Sequence, residues 1–382
     1  LLTTMDTPRW VYRWIYKAPG LNSLSRATLG FCGIAPVRTS IFGPVKGSDS
    51  QKRTRWIDRA RQEGLRLGGG ILTTSERCRH RIFAWIAALR LQFYPMVWGA
   101  YSIGAAGAVK TTGTFSPPVF WLGWLCLFFL ENATVFTNDY FDFESDRINR
   151  HYGPFTGGSR VLVDGKISLA QMRTGIGLAV GVFLIVALAL TVATPGWKLL
   201  PLLAVIAVLT LGYTAPPLKL CWRGLGEVDV ALTHSFAVVV CGYSFQGGSW
   251  GAAFPWLVGV PLFWAILPAI TLSGIPDYAA DLAVGKGTLA VRLGPRSAIR
   301  VVQGATALAA LMALIWQYGA ITGGAYAGIG FIVVPHAILQ MLLLEHYVKR
   351  GRKPGRIDGL MALTLLYIVW FVAVPLWNLT AR

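Results

Sequence analysis

Charge is what this sequence has least of. Only 14% of its 382 residues are Asp, Glu, Lys or Arg, against roughly 25% in soluble domains, which excludes a wholly water-facing surface. Acid is scarcer still. Seventeen Asp and Glu stand against 35 Lys and Arg, a net charge of +18, so any acidic cluster calls for an explanation. Five cysteines, Cys32, Cys78, Cys126, Cys221 and Cys241, form no CxxC pair, and five histidines lie far apart. Neither a disulfide framework nor a zinc site has the spacing it needs. What is abundant is apolar: 54% of residues are hydrophobic and mean hydropathy is +0.53. The chain reads as a membrane protein.

A bilayer core about 30 Å thick is crossed by roughly 20 apolar residues in a helix. Nine apolar runs of that order lie near 83–108, 119–138, 169–193, 198–214, 228–247, 255–275, 299–319, 323–345 and 358–379. They lack the alternation of barrel strands, and lipid satisfies no exposed backbone group, so they are helices. The expected fold class is all-α, a polytopic bundle of nine transmembrane helices. Positive charge gathers on the cytoplasmic side of a membrane. Of the 20 Lys and Arg beyond residue 82, 16 fall in the loops after the second, fourth, sixth and eighth runs, which places those loops and the basic tail in the cytoplasm. The expected location is integral to the membrane, the cell inner membrane, with the active site facing the cytoplasm. The basic excess serves orientation, and no nucleic-acid partner is expected.

Two domains are expected, a basic tail over 1–75 and a membrane domain over 83–380. The tail is rich in Gly, Ser, Pro and Arg and holds no run long enough to span, which reads as mostly disordered. Within it, residues 55–67 set Trp56, Ile57, Ala60, Gly64, Leu65 and Leu67 broadly opposite arginines, the pattern of a helix lying in the membrane plane. An Arg-rich leader also suits a transit peptide, against which Asp6, Asp49, Asp58 and Glu63 count. A native start is expected at Met5 or later.

The informative residues are acids gathered where membrane helices end. Residues 138–146 read NDYFDFESD. At about 100° per residue, Asp139, Asp142 and Asp146 fall at about 100°, 40° and 80° from Asn138 on one helix face, with Glu131 near that face two turns deeper. Facing carboxylates repel and raise one another's pKa, and a helix C-terminus adds to the repulsion. Ionisable groups at membrane depth cost about 3 kcal/mol each, so something cationic belongs there. A second pair, Asp277 and Asp281 in DYAAD, ends the sixth run on the same side. Hard oxygen ligands converging in this way favour Mg2+, which takes a few carboxylates and completes its shell with water and phosphate oxygens. The neighbouring basic loops supply the cationic donors that a diphosphate needs. The alternative is a set of interfacial ion pairs with Arg147, Arg150, Lys286 and Arg292.

Three smaller features stand nearby. Residues 156–160, TGGSR, offer either a backbone anion nest or a plain turn. Residues 213–223, YTAPPLKLCWR, end the fourth run at paired prolines, leaving Tyr213 at its mouth with Lys219 and Arg223 beyond. Arg90, inside the first run, either snorkels to the interface or meets substrate. The role of Glu131 is open.

With NDYFDFESD and DYAAD at the ends of the second and sixth runs, YTAPPLK at 213–219 and GKGTLAVRLG at 285–294, the chain resembles the UbiA superfamily of intramembrane prenyltransferases over about residues 83–380. The resemblance implies nine transmembrane helices and transfer of an isoprenyl chain from its diphosphate to a hydrophobic or aromatic acceptor, in contact with the lipid bilayer. It implies Mg2+ as cofactor, held by Asn138, Asp142, Asp146, Asp277 and Asp281 with Asp139 in support. Arg90, Arg160 and Lys286 would then contact the diphosphate, and Tyr213, Lys219, Asp142 and Asp281 would serve catalysis. Residues 155–168 and 285–294 look more like the dihydroxynaphthoate, menaquinone-type branch than the hydroxybenzoate branch, whose Arg-Pro-(Leu/Ile)-x-x-Gly loop is absent. The expected acceptor is therefore an aromatic quinone precursor. A phosphoribose or glycerol phosphate lipid is the alternative within the superfamily. A polytopic transporter, the alternative from another class, would hold its acids near the midplane of broken helices; here only Glu131 lies deep.

Overall fold

In the computed structural model of the chain, residues 2–4, 40–42, 44, 48–68, 74–194, 199–350 and 356–381 are described. The chain divides into two compact units, Leu1–Arg79 and His80–Arg382. In the first, strands β1 (Leu2–Thr4) and β2 (Ser40–Phe42) pair in parallel with Leu2 opposite Ser40. Helix α1 (Ser50–Gly68) takes in the amphipathic residues 55–67. Asp49 starts it by accepting the Lys52 backbone N–H at 2.6 Å, as an N-terminal capping side chain does. Most of the stretch expected to be disordered lies outside the described residues.

Every regular element described beyond α1 is helical: α2 (Thr74–Leu89), α3 (Tyr94–Thr112), α4 (Pro117–Phe141), α5 (Phe143–Ile148), α6 (Leu169–Ala193), α7 (Leu199–Gly212), α8 (Gly226–Phe245), α9 (Ala253–Val284), α10 (Leu289–Leu293), α11 (Pro295–Gly319), α12 (Gly330–Lys349) and α13 (Asp358–Thr380). Among the described residues seven of these, α4, α6, α8, α9, α11, α12 and α13, are long and apolar enough to cross a membrane. The two other expected spans correspond to α3 and the shorter α7, so nine remains the expectation of the sequence.

Three boundaries differ from the hydropathy reading, each for a local reason. The first run is broken: Arg90 takes φ 53° and ψ 47°, a tight turn follows over Leu91–Phe93, and α3 starts at Tyr94 with Pro95 in its first turn. Proline suits a helix start, where its missing N–H costs nothing, so Arg90 stands at a break and not inside a span. The sixth run goes the other way. Helix α9 continues to Val284 through buried Pro261, Pro268 and Pro276, because neighbouring helices cover the backbone groups that each proline frees. Asp277 and Asp281 thus lie on the helix itself. The eighth, expected from 323, begins at Gly330, since Gly323, Gly324 and Gly328 take φ of 62°, 83° and 78°.

Helix α4 packs chiefly on α6, α9 on α11 and α3 on α8. The last pair meets through glycine: a Cβ at Gly104 would strike the Val239 carbonyl oxygen, and one at Gly242 the Tyr101 carbonyl oxygen. Lipid tails are as apolar as leucine, so close backbone approach is what holds such helices together.

Candidate active site

Helix α4 stops at Phe141, and Asp142, at φ −90° and ψ 4°, both ends it and starts α5. The single helix assumed for residues 138–146 is therefore interrupted, and Asp146 sits on the following short helix. Asn138 Nδ2 donates to Asp142 Oδ2 at 2.9 Å. The same oxygen accepts from Lys286 Nζ at 2.6 Å, and Lys286 stands 3.8 Å from Asp281 Oδ1. Lys286 reaches this point because α9 closes on Gly285, at φ 76°, and the Lys286 backbone N–H returns to the Asp281 carbonyl at 2.8 Å. A left-handed glycine ending a helix folds the next residue back in this way.

The two acidic motifs thus converge on one buried ammonium. Ser145 Oγ donates to Asp281 Oδ1 at 2.6 Å, and Asn149 Nδ2 to Asp277 Oδ1 at 2.7 Å. Asp139 is held by both the hydroxyl and the backbone N–H of Ser159. Asp142 Oδ1 is buried without a hydrogen-bond partner. Burial pushes the Asp146 carboxyl well above the usual range, and Asp142, Asp139 and Asp277 add to the shift. Burial works against the charge of Lys286, but Asp142 and Asp281 outweigh it and hold its pKa well above the usual lysine range.

Arg90, Asn138 and Tyr213 line an apolar cavity of ≈ 160 Å³ between α4, α8, α9 and α13. Arg90 rests 5.0 Å over the Phe93 ring. Arg160, at φ 65°, donates to the Asp146 carbonyl and stacks 4.1 Å over Tyr152. Lys219 departs from the group: its ammonium lies 4.8 Å over the Trp222 ring. The ion-pair alternative is met by Lys286, whereas Arg147 turns to Glu144 at 2.7 Å and Arg292 Nε donates to the Gly287 carbonyl at 3.0 Å.

Sequence reasoning does not single out Ser145, Asn149 or Glu227, and takes Ser159 only as part of the 156–160 nest or turn. Ser145 and Asn149 stand at helical spacing after Asp142, which was a usable signal. Glu227 had none: its Oε1 accepts the Leu289 N–H at 2.8 Å, tying the start of α8 to the loop that presents Lys286.

Among the described residues no three His, Cys, Asp or Glu side chains are set to hold a metal ion. The donor set is nonetheless all oxygen, Asp142 Oδ1 has no partner, and carboxylates of both motifs crowd one ammonium. That fits a hard divalent cation, since Mg2+ takes one or two carboxylates and leaves the rest of its shell to water and phosphate.

These features define a polytopic membrane protein with an acidic, cation-seeking centre opening on an apolar cavity. The UbiA prenyltransferase family model matches residues 95–368, and the chain belongs to that family. It is 28% identical over 217 residues to the 2-carboxy-1,4-naphthoquinone phytyltransferase of Synechocystis sp., covering 56% of this chain and 66% of that protein. It is 34% identical over 160 residues to the digeranylgeranylglyceryl phosphate synthase of Sulfurisphaera tokodaii, covering 41% of this chain and 51% of that protein. The chain thus matches just under two thirds of the first relative's length and about half of the second's. A solved UbiA homologue from Archaeoglobus fulgidus, bound to GPP and Mg2+, has a TM-score of 0.53 at 18% identity, covering 76% of this chain and 99% of that one. That likeness is one of fold.

Proposed function

We propose that the protein transfers an isoprenyl chain from its diphosphate to an aromatic quinone precursor within the membrane. The observation that carries this reading is the convergence of both acidic motifs on Lys286 beside an apolar cavity. An isoprenyl diphosphate has the same two halves, a polyanion and a long apolar chain. Bound Mg2+, held by Asn138, Asp142, Asp146, Asp277 and Asp281, would neutralise the departing diphosphate. Asp139, fixed by Ser159, supports that set.

Lys286, Arg160 and Arg90 donate to the remaining phosphate oxygens. Burial pushes the Tyr213 phenol well above the usual tyrosine range, so it stays neutral and flanks the allylic carbon from the cavity wall. Lys219 stands apart on Trp222. The allylic C–O bond breaks with its electron pair leaving on the diphosphate, and a nucleophilic carbon of the acceptor closes on the allylic carbon. Stabilising the departing charge is the main catalytic contribution, and the apolar walls keep water from the cation. The aromatic acceptor is supported by the Synechocystis relative; a glycerol phosphate lipid acceptor is the second reading, favoured by the Sulfurisphaera one. The basic loops support a site on the cytoplasmic face of the cell inner membrane.

The test uses the purified full chain in lipid nanodiscs with geranylgeranyl diphosphate and 1,4-dihydroxy-2-naphthoate. Prenylated product and free diphosphate are expected, both lost on chelation and restored by Mg2+. Full turnover in excess EDTA would defeat the metal-dependent site. Diphosphate release that no acceptor turns into prenylated product would defeat the transfer.

A further inference from the structure

Away from Asn138, the cavity is lined by polar groups that diphosphate binding leaves unused: Glu131, Asp229 and His234. Glu131 lies seven residues before Asn138, about 10 Å deeper along α4 at about 1.5 Å per residue. His234 Nε2 is 3.7 Å from Glu131 Oε2, with the two side chains only 12% and 11% exposed. The other ring nitrogen, Nδ1, is 3.0 Å from the Val230 carbonyl oxygen. Nδ1 is also 3.1 Å from the Thr233 hydroxyl; in the tautomer in which Nδ1 donates to the Val230 carbonyl, Nε2 is the nitrogen that exchanges a proton with Glu131. The backbone is adapted to this placement. Helix α8 widens into a π turn over Thr233–Ala237, an insertion that helices carry most often at functional sites.

Two carboxylates, Glu131 and Asp229, share this cavity with His234 and Arg90. Carboxylate charge in apolar surroundings is costly, so a carboxylate set deep in this cavity is suited to take up a proton.

We propose that Glu131 and His234, with Asp229 beside them, form the proton-accepting subsite of the transfer, taking the proton that the acceptor sheds as it is alkylated. The inference rests on the prenyl-transfer reading. The allylic C–O bond breaks and its electron pair leaves on the diphosphate. A π pair of the acceptor forms the new C–C bond, and the cationic adduct gives one proton to the Glu131–His234 pair, the electrons of that O–H or C–H bond restoring the neutral conjugated product. Placing the base deeper than the acidic motifs keeps the released proton apart from the departing polyanion.

The experiment compares full-length wild type, Glu131→Gln and His234→Asn in nanodiscs with Mg2+, geranylgeranyl diphosphate and 1,4-dihydroxy-2-naphthoate. Three quantities are followed: diphosphate release, prenylated product, and prenyl alcohol from capture by water. Diphosphate release is expected to stay near the wild-type rate, while prenylated product falls about 100-fold, the scale of a lost general base, and alcohol replaces it. Glu131→Asp, which keeps a carboxylate, is expected to recover part of the transfer. A variant that merely folds less well lowers alcohol and product alike, so an unchanged ratio between them overturns the proposal. Loss of diphosphate release in variants that melt like wild type also overturns it, by assigning the pair to the diphosphate site. Wild type that releases no diphosphate sinks the prenyl-transfer reading itself.

Discussion

The first acidic motif sits where a helix stops, and the second sits on a helix that continues. Helix α4 is interrupted at Asp142, so Asp139, Asp142 and Asp146 do not share one rigid face and are placed by neighbours: Ser159 for Asp139, Asn138 and Lys286 for Asp142. Helix α9 runs unbroken to Val284, and its i, i+4 spacing sets Asp277 and Asp281 side by side without help. Their partners come from the first motif and its sequel, Ser145 from within the motif and Asn149 from just beyond it, while Lys286 comes from just beyond the second. Each motif is therefore held in part from the other's neighbourhood, Asp142 by Lys286 and Asp277 and Asp281 by Asn149 and Ser145, and damage at one is felt at its opposite.

The largest effect should follow loss of a central carboxylate. Asp142→Asn and Asp281→Asn should each nearly abolish transfer, and the double variant should be scarcely worse, because groups acting as a unit are non-additive. Stability separates the two. Repulsion among the acids alone predicts variants at least as stable as wild type, but the buried ammonium reverses that sign. Lys286 is 2.6 Å from Asp142 and 3.8 Å from Asp281. Breaking a buried pair costs about 3–5 kcal/mol, and Asp142→Asn should show the greater share of it as a lower melting temperature. Equal melting of the two variants would mean that the ammonium is shared evenly and the motifs are not distinguished by it. Stable single variants with near wild-type turnover would remove both motifs from the chemistry.

An intermediate effect belongs to the cation between them. Lys286→Met should lower turnover by about 100-fold, as loss of one donor to a departing anion does. It also frees Asp142 and Asp281 from their competitor, so half-maximal Mg2+ binding, followed by thermal shift, should move to lower concentration while turnover falls. Weaker Mg2+ binding in Lys286→Met would show that the lysine organises the carboxylates and does not compete for them.

The parts of this architecture that depend on hydropathy alone were legible in the sequence. Apolar runs, loop charge and both acidic motifs are one-dimensional signals that the bilayer enforces. The break at Arg90 had a local marker in Pro95. The interruption at Asp142 had none, which is why the helical wheel misplaces Asp146, and the sixth run, read to 275, continues past Pro276 to Val284 under cover of its neighbours. Lys219 belongs to a recognisable stretch yet settles on Trp222. His234 lies in a run that reads as plain membrane helix, and its meeting with Glu131 joins α8 to α4, a contact that no spacing within either run reveals.

The smallest effect tests the two hydroxyl supports against each other. Ser145→Ala takes from Asp281 a donor at 2.6 Å and leaves it Thr288 at 3.5 Å and Lys286 at 3.8 Å. Ser159→Ala takes the hydroxyl from Asp139 but leaves the backbone N–H at 3.2 Å, which no side-chain change removes. Loss of a group that orients a metal-binding carboxylate costs about 10–100-fold in affinity or activity. Ser145→Ala should fall at the low end of that range and Ser159→Ala below it, read as the Mg2+ concentration for half-maximal transfer. The asymmetry follows only if Asp281 binds metal directly and Asp139 acts in support. A larger loss in Ser159→Ala would move Asp139 into the metal-binding set and make the first motif, despite its broken helix, the more tightly organised of the two.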